Sequence, residues 1–228
     1  MRNSNLALDH IGFWCASLEE SAEHFSKLMS VQIAPGGRHE GQGTWNRLVG
    51  AKDGQYVELI GKDPEQSAKG PMLEQAGRQR DLTACLVAYR SNALTELCVR
   101  AREIGMQSSG VQSMSRELGD GTYISWQLLF ISHADFPILP FFIDWGDAPH
   151  PSTRLAPELK IADPIFQSPV PEQLSEAFHQ LGLNASVVYG DTHDLVLSVA
   201  SRAASASAGR QFGLTAGEDE LRGGENTT

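Results

Sequence analysis

Basic residues are scarce: 18 Lys and Arg stand against 28 Asp and Glu in 228 residues, a formal charge of −10. No segment gathers the positive charge that would release counterions from a phosphate backbone, so nucleic acid is excluded as the expected partner. Cysteine is scarcer still. Cys15, Cys85 and Cys98 are odd in number, lack CxxC or CxxH spacing and sit inside apolar patterns. A disulfide framework is therefore excluded, and reduced, buried thiols in a cytoplasmic protein are expected. No apolar run approaches the roughly 18 residues that would span a bilayer, which argues against a membrane partner. Met1 to Asn5 lead into a strand-like segment with no cleavage pattern of a signal peptide. What remains is a soluble globular chain, 41% hydrophobic and 20% charged, long enough for one large domain or two small ones on a shared core.

Three amphipathic segments stand out. Ser17-Leu18-Glu19-Glu20 has the form of a capping box, and Leu18, Ala22, Phe25, Leu28 and Met29 line one helical face behind it. Leu94, Leu97, Cys98, Ala101 and Ile104 repeat the design over 92–104, and Pro171 opens a third helix carrying Leu174, Ala177, Phe178 and Leu181. Each leaves through a small residue between apolar ones, at Ser30, Gly105 and Gly182, separated by 75 and 77 residues. That regularity indicates an internal repeat.

Strand-like segments precede the helices at 6–15, 83–89 and 159–166. Others follow at 44–49 and 55–60, at 122–131 and 138–145, and at 185–189 and 194–200. The unit reads βαβββ, given twice in full and once shortened. The expected fold is therefore α+β, with modules at 1–62 and 83–147 forming a cup and a shortened βαββ module at 157–200. The Ser/Ala/Gly-rich and then acidic stretch 201–228 is expected to be a disordered tail.

Alternation along the first strand turns Ile11 and Phe13 under the helix and His10 into the cup. Glu58 lies between Val57 and Leu59, and Asp144 between Ile143 and Trp145, two carboxylates in apolar strands. Burying an unpaired carboxylate costs several kcal/mol, so each calls for a metal, a cation or a histidine. Aligning the units through their helices sets Asp144 opposite Glu58 and Ala84 opposite His10. His10, Glu58 and Asp144 are then expected to face one cavity as a candidate metal set. Glu58 and Asp144 are candidate catalytic groups, either carboxylate raised in pKa by its apolar setting and able to act as base. Arg116 is a third catalytic candidate, placed to pair with Asp144 or a substrate carboxylate. His39, on the Gly-rich loop 36–43, and Asn46, Trp126 and Phe142 are the candidate substrate contacts.

Leu8-Asp9-His10-Ile11, Pro35-Gly36-Gly37-Arg38-His39 with Gly43-Thr44-Trp45-Asn46, and Tyr56-Val57-Glu58-Leu59-Ile60 form one set of landmarks. Phe142-Ile143-Asp144-Trp145-Gly146 before His150-Pro151-Ser152 completes it. Together they resemble the glyoxalase-like domain family of the vicinal oxygen chelate superfamily, over about residues 6–200. The resemblance implies paired βαβββ modules and, in the superfamily's metalloenzymes, a divalent ion held on the first and last strands of each module. His10 and Glu58 match two such positions. Ala84 cannot ligate, Asp144 stands where Glu is usual, and Trp45 stands where His is frequent. A metal-free cup is the expectation, with Mn, Fe or Zn as the ion if one binds. The family implies an enzyme of lyase, isomerase or dioxygenase type acting on a small oxygenated organic substrate, the alternative being a non-catalytic binding protein of the same fold. The assembly considered is a homodimer.

Overall fold

A computed structural model describes residues 6–39, 41–67, 81–117, 123–201 and 210–215. The first βαβββ run comprises β1 (Ala7–Cys15), α1 (Leu18–Met29), β2 (Ala34–His39), β3 (Thr44–Gly50) and β4 (Tyr56–Lys62). The second comprises β5 (Thr83–Arg90), α2 (Leu94–Glu103), β6 (Gln107–Glu117), β7 (Tyr123–Ser132) and β8 (Phe141–Asp144). They share one eight-stranded sheet in the order β2-β3-β4-β1-β5-β8-β7-β6. Each run closes a parallel pair, β1 on β4 and β5 on β8, and the two meet along the antiparallel pair β1 and β5. The outermost strands β2 and β6 approach each other across the opening, so the sheet curls into a half-barrel.

Alternation sorts the side chains. Ile11, Phe13, Val57, Leu59, Val87, Leu129 and Phe142 pack with Phe25 of α1 and Leu97 of α2 in the main core. Leu48, Tyr56, Ala88, Ile124, Trp126, Leu128, Ile143 and Trp145 line the concave side. The helices end as their small residues require: Ser30, Gly105 and Gly182 adopt φ of 53°, 82° and 79°, a left-handed conformation that costs glycine least. Ser17 is the N-cap of α1, but its side chain makes no capping bond, so the capping box is not formed.

The remaining elements are β9 (Leu159–Ile161), β10 (Ile165–Ser168), α3 (Pro171–Leu181), β11 (Ser186–Tyr189), β12 (Asp194–Ser201) and β13 (Arg210–Thr215). They build a second sheet, β11-β10-β12-β13, with β9 also on β12. Phe166, Leu174, Phe178 and Leu197 continue the main core, so this unit docks on the helix-bearing side.

Four differences from the sequence reading have physical reasons. Pro164 cannot donate to a ladder, and the single strand expected at 159–166 splits into β9 and β10. The polar, serine-rich β6 gave no period-two signal because it is an edge strand. Gly36 and Gly37 are not in an open loop: β2 pairs with β3, with a register shift between Pro35 and Arg38. Within the expected disordered tail 201–228, residues 210–215 form β13, whose backbone pairs with β12 along an edge otherwise open.

The cysteines are free, as reduced thiols would be. Burial pushes the Cys15 thiol up to about 12 and raises that of Cys85 as well, which leaves both unreactive.

Candidate functional site

Four strands bring polar side chains onto the concave face. His10 of β1 is 3% exposed, Asn46 of β3 3% and Glu58 of β4 7%. His39, at the end of β2, supplies the most open edge, with a side chain 14% exposed. Glu58 Oε2 lies 3.5 Å from His10 Nε2, and Oε1 lies 3.5 Å from His39 Nε2. Asn46 Nδ2 donates to Glu58 Oε1. The ring of His10 stacks on Tyr56 with centroids 4.5 Å apart and meets the edge of Phe141 at 5.7 Å.

The Gly36–Gly37 bulge sets the orientation of Asn46. Gly37 N–H donates to Asn46 Oδ1 at 2.7 Å, so the amide nitrogen must face Glu58. That nitrogen is also 3.2 Å from His39 Nε2, which accepts when His39 Nδ1–H donates to Thr44 Oγ1 at 2.8 Å. A Cβ on Gly36 would fall 1.9 Å from Asn46 Oδ1. Gly36→Ala is therefore expected to push Asn46 off Glu58 and to cost about 1–3 kcal/mol, read by urea unfolding. Unchanged stability would show that the bulge is slack.

Burial works to raise the pKa of Glu58, but the hydrogen bond and charge of His39, the charge of His10 and the Asn46 bond outweigh it, and the group falls to about 2. The sequence reading of a raised carboxylate is thus reversed here. It allowed for the apolar neighbours along the strand and not for partners from β1, β2 and β3.

Asp9, fully buried, is a residue that sequence reasoning missed. Strict alternation sends it away from the cup, but the β1–β5 register shifts between Leu8 and His10. The bulge turns Asp9 beside His10, and Oδ1 lies 2.7 Å from His10 Nδ1. The second oxygen meets Trp145 Nε1 at 3.2 Å and His150 Nε2 at 3.0 Å. Arg90 Nε is also 3.0 Å away, paired in charge without an aligned hydrogen bond. Burial opposes the charge on Asp9, yet the bonds to His10 and His150 hold its carboxyl below the usual range. His150, a landmark in the sequence with no role assigned, joins the cluster and packs edge-on to Tyr56 at 5.6 Å.

The second module contributes differently than expected. Phe142 is fully buried in the main core, so it cannot contact a ligand in the cup; Phe141, one residue away, does face it. The same parity carries Asp144 off the concave face, where its carboxylate accepts from Gly146 N–H at 2.8 Å. Ala84 likewise packs in the main core, so it is not the counterpart of His10. Aligning the modules through their helices had set both residues on the wrong face, and the β1–β5 register itself shifts between Gly12 and Phe13, next to Ala84. Trp126 is buried against Trp145 at 5.4 Å and, with Asp144, Tyr123 and Gln127, borders a separate open hollow. Arg116 lies on β6 opposite Ile124, and its side chain is outside the described part of the structure.

A superfamily metal does not fit these residues. His10 and Glu58 come from the first module, but β5 and β8 set Ala88 and Phe141 beside His10. Glu58 Oε1 is occupied by an amide donor. Among the described residues, no three His, Cys, Asp or Glu side chains are arranged to hold an ion.

The model of the glyoxalase-like domain family matches residues 8–182, and the chain belongs to that family. A hypothetical protein from Staphylococcus aureus superposes with a TM-score of 0.65 at 19% identity, over 83% of this chain and 81% of its own. Methylmalonyl-CoA epimerase from Mycobacterium tuberculosis gives 0.49 at 17% identity, over 64% and 93%. The Streptomyces coelicolor methylmalonyl-CoA epimerase in complex with 2-nitronate-propionyl-CoA gives 0.44 at 15%, over 60% and 95%. At these identities the likeness concerns the fold alone. No curated protein sequence matches the chain significantly. No helix among the described residues is long and apolar enough to cross a membrane.

Proposed function

We propose that the chain is an enzyme of isomerase or lyase type that binds a small carbonyl compound in the cup and moves a proton beside its carbonyl. One observation carries the reading. Glu58 is a buried carboxylate, ionised at neutral pH, whose nearest titratable neighbours among the described residues are two histidines, His10 and His39, each with Nε2 3.5 Å away. Imidazole as a side-chain type can accept and release a proton in this pH range beside a fixed negative charge, whereas a Lys or Arg partner would stay protonated. Asn46 and Tyr56 complete the polar and stacking walls. No step is routed through a metal, because the donor set does not fit one.

A second reading, a binding protein that performs no chemistry, draws on the aromatic lining of Tyr56, Phe141, Trp126 and Trp145. One experiment separates the two. A panel of small 2-oxo, 2-hydroxy and acyl compounds is incubated with the protein in D2O, and exchange of C–H for C–D beside the carbonyl is followed by proton NMR. Exchange that disappears in His10→Asn supports the enzyme. Binding without exchange supports the second reading, and neither binding nor exchange across the panel contradicts both.

A further inference from the structure

We propose that Asp9 is the positioning residue that fixes the tautomer of His10 and so makes Nε2 the proton-carrying atom of the cup. The inference rests on the proton-transfer reading above.

An ionised carboxylate has no hydrogen to donate, so the 2.7 Å contact between Asp9 Oδ1 and His10 Nδ1 requires Nδ1 to carry the proton. Three groups from beyond the first module surround the other oxygen. The indole nitrogen of Trp145 can only donate. His150 Nδ1 accepts from Ser152 N–H at 3.2 Å, which leaves its Nε2 to donate to Asp9 at 3.0 Å. Arg90 adds a positive charge at 3.0 Å. Asp9 therefore cannot rotate without stranding donors in a buried site, and His10 Nε2 is left with its lone pair toward the cup and Glu58.

The step this permits balances simply. The C–H bond beside the carbonyl breaks, its proton goes to His10 Nε2, and its electron pair stays on the substrate as an enolate. Delivery of a proton from Nε2 back to carbon completes the cycle, and replacement of the Nε2 proton by solvent before that return gives the exchange seen in D2O. While on Nε2, the proton has Glu58 on one side and Asp9 behind the ring, so both carboxylates stabilise the imidazolium. The second module, lacking metal ligands, thus serves the site by bracing Asp9.

Asp9→Asn supplies a sharp test because an amide has one accepting and one donating end. Trp145 and His150 both donate there and so demand the accepting oxygen. The NH2 then faces His10 Nδ1, which must become the acceptor and send its proton to Nε2. Nitrogen-15 NMR of histidine-labelled protein is expected to show His10 as the Nδ1–H tautomer in the wild type and as Nε2–H in Asp9→Asn. Exchange should fall by a factor on the order of 10³–10⁴, the scale of a wrong tautomer in a Ser-His-Asp site. An Nε2–H tautomer in the wild type overturns the proposal, and that spectrum needs no variant to fold. So does an Nδ1–H tautomer retained in Asp9→Asn, or exchange at the wild-type rate in that variant. If no compound exchanges in the wild type, the proton-transfer reading fails, while the spectra still decide the tautomer.

Discussion

Glu58→Gln is expected to lower carbonyl C–H exchange by about 10²–10⁴-fold, the usual contribution of a positioned acid or base, with little loss of stability. Glutamine is nearly isosteric. Its oxygen can accept from Asn46 Nδ2, and its amide can donate to the lone pair of His10 Nε2, so no buried polar group is stranded. What disappears is the negative charge that stabilises a proton arriving on His10. Single-turnover exchange rates at matched compound concentrations would measure the loss. Wild-type exchange in this variant would show that Glu58 is a structural carboxylate and that the proton is handled elsewhere.

Stability is expected to fall as the pH drops from about 5 toward 2. A carboxylate whose folded pKa is depressed contributes stability that is complete above its unfolded pKa and is lost on acidification through its folded pKa. For Glu58 the window runs from the ordinary 4.5 to about 2, worth about 3 kcal/mol once both forms are protonated. Asp9 is depressed in the same direction by His10 and His150, so its contribution is lost with further acidification. Urea unfolding at successive pH values should give a steeper profile for the wild type than for Glu58→Gln, the difference isolating this carboxylate from those on the surface. Parallel profiles between pH 5 and 3 would mean that the imidazole contacts do not hold the charge.

Local patterns revealed the fold well. The repeated apolar faces of α1, α2 and α3, with their left-handed exits, set the modular plan, and period-two alternation correctly turned Ile11 and Phe13 under α1 and Glu58 into the cup. Irregular positions hid the rest. Asp9 sits on a bulge, which alternation alone cannot anticipate, so the group bracing His10 was not singled out. Asp144 was placed by alignment with Glu58 of the first module, and Phe142 was chosen where its neighbour Phe141 is the phenylalanine that faces His10. The roles of Asn46 and His39 were half legible: their residue types suggested contacts, but only the Gly36–Gly37 bulge makes the amide face Glu58. His150 is separated from Asp9 by 141 residues, and nothing local in His150-Pro151-Ser152 signals where its ring will go.

The most direct measurement is a crystal structure of the protein with a carbonyl compound that exchanges or binds. The proposed site requires the carbonyl carbon's neighbouring C–H to lie within reach of His10 Nε2, with Asn46 or Tyr56 against the compound and Asp9 still held by Trp145 and His150. A compound seated instead in the hollow beside Trp126 and Asp144, with the His10–Glu58–Asn46 contacts undisturbed, would contradict the placement of function in the cup.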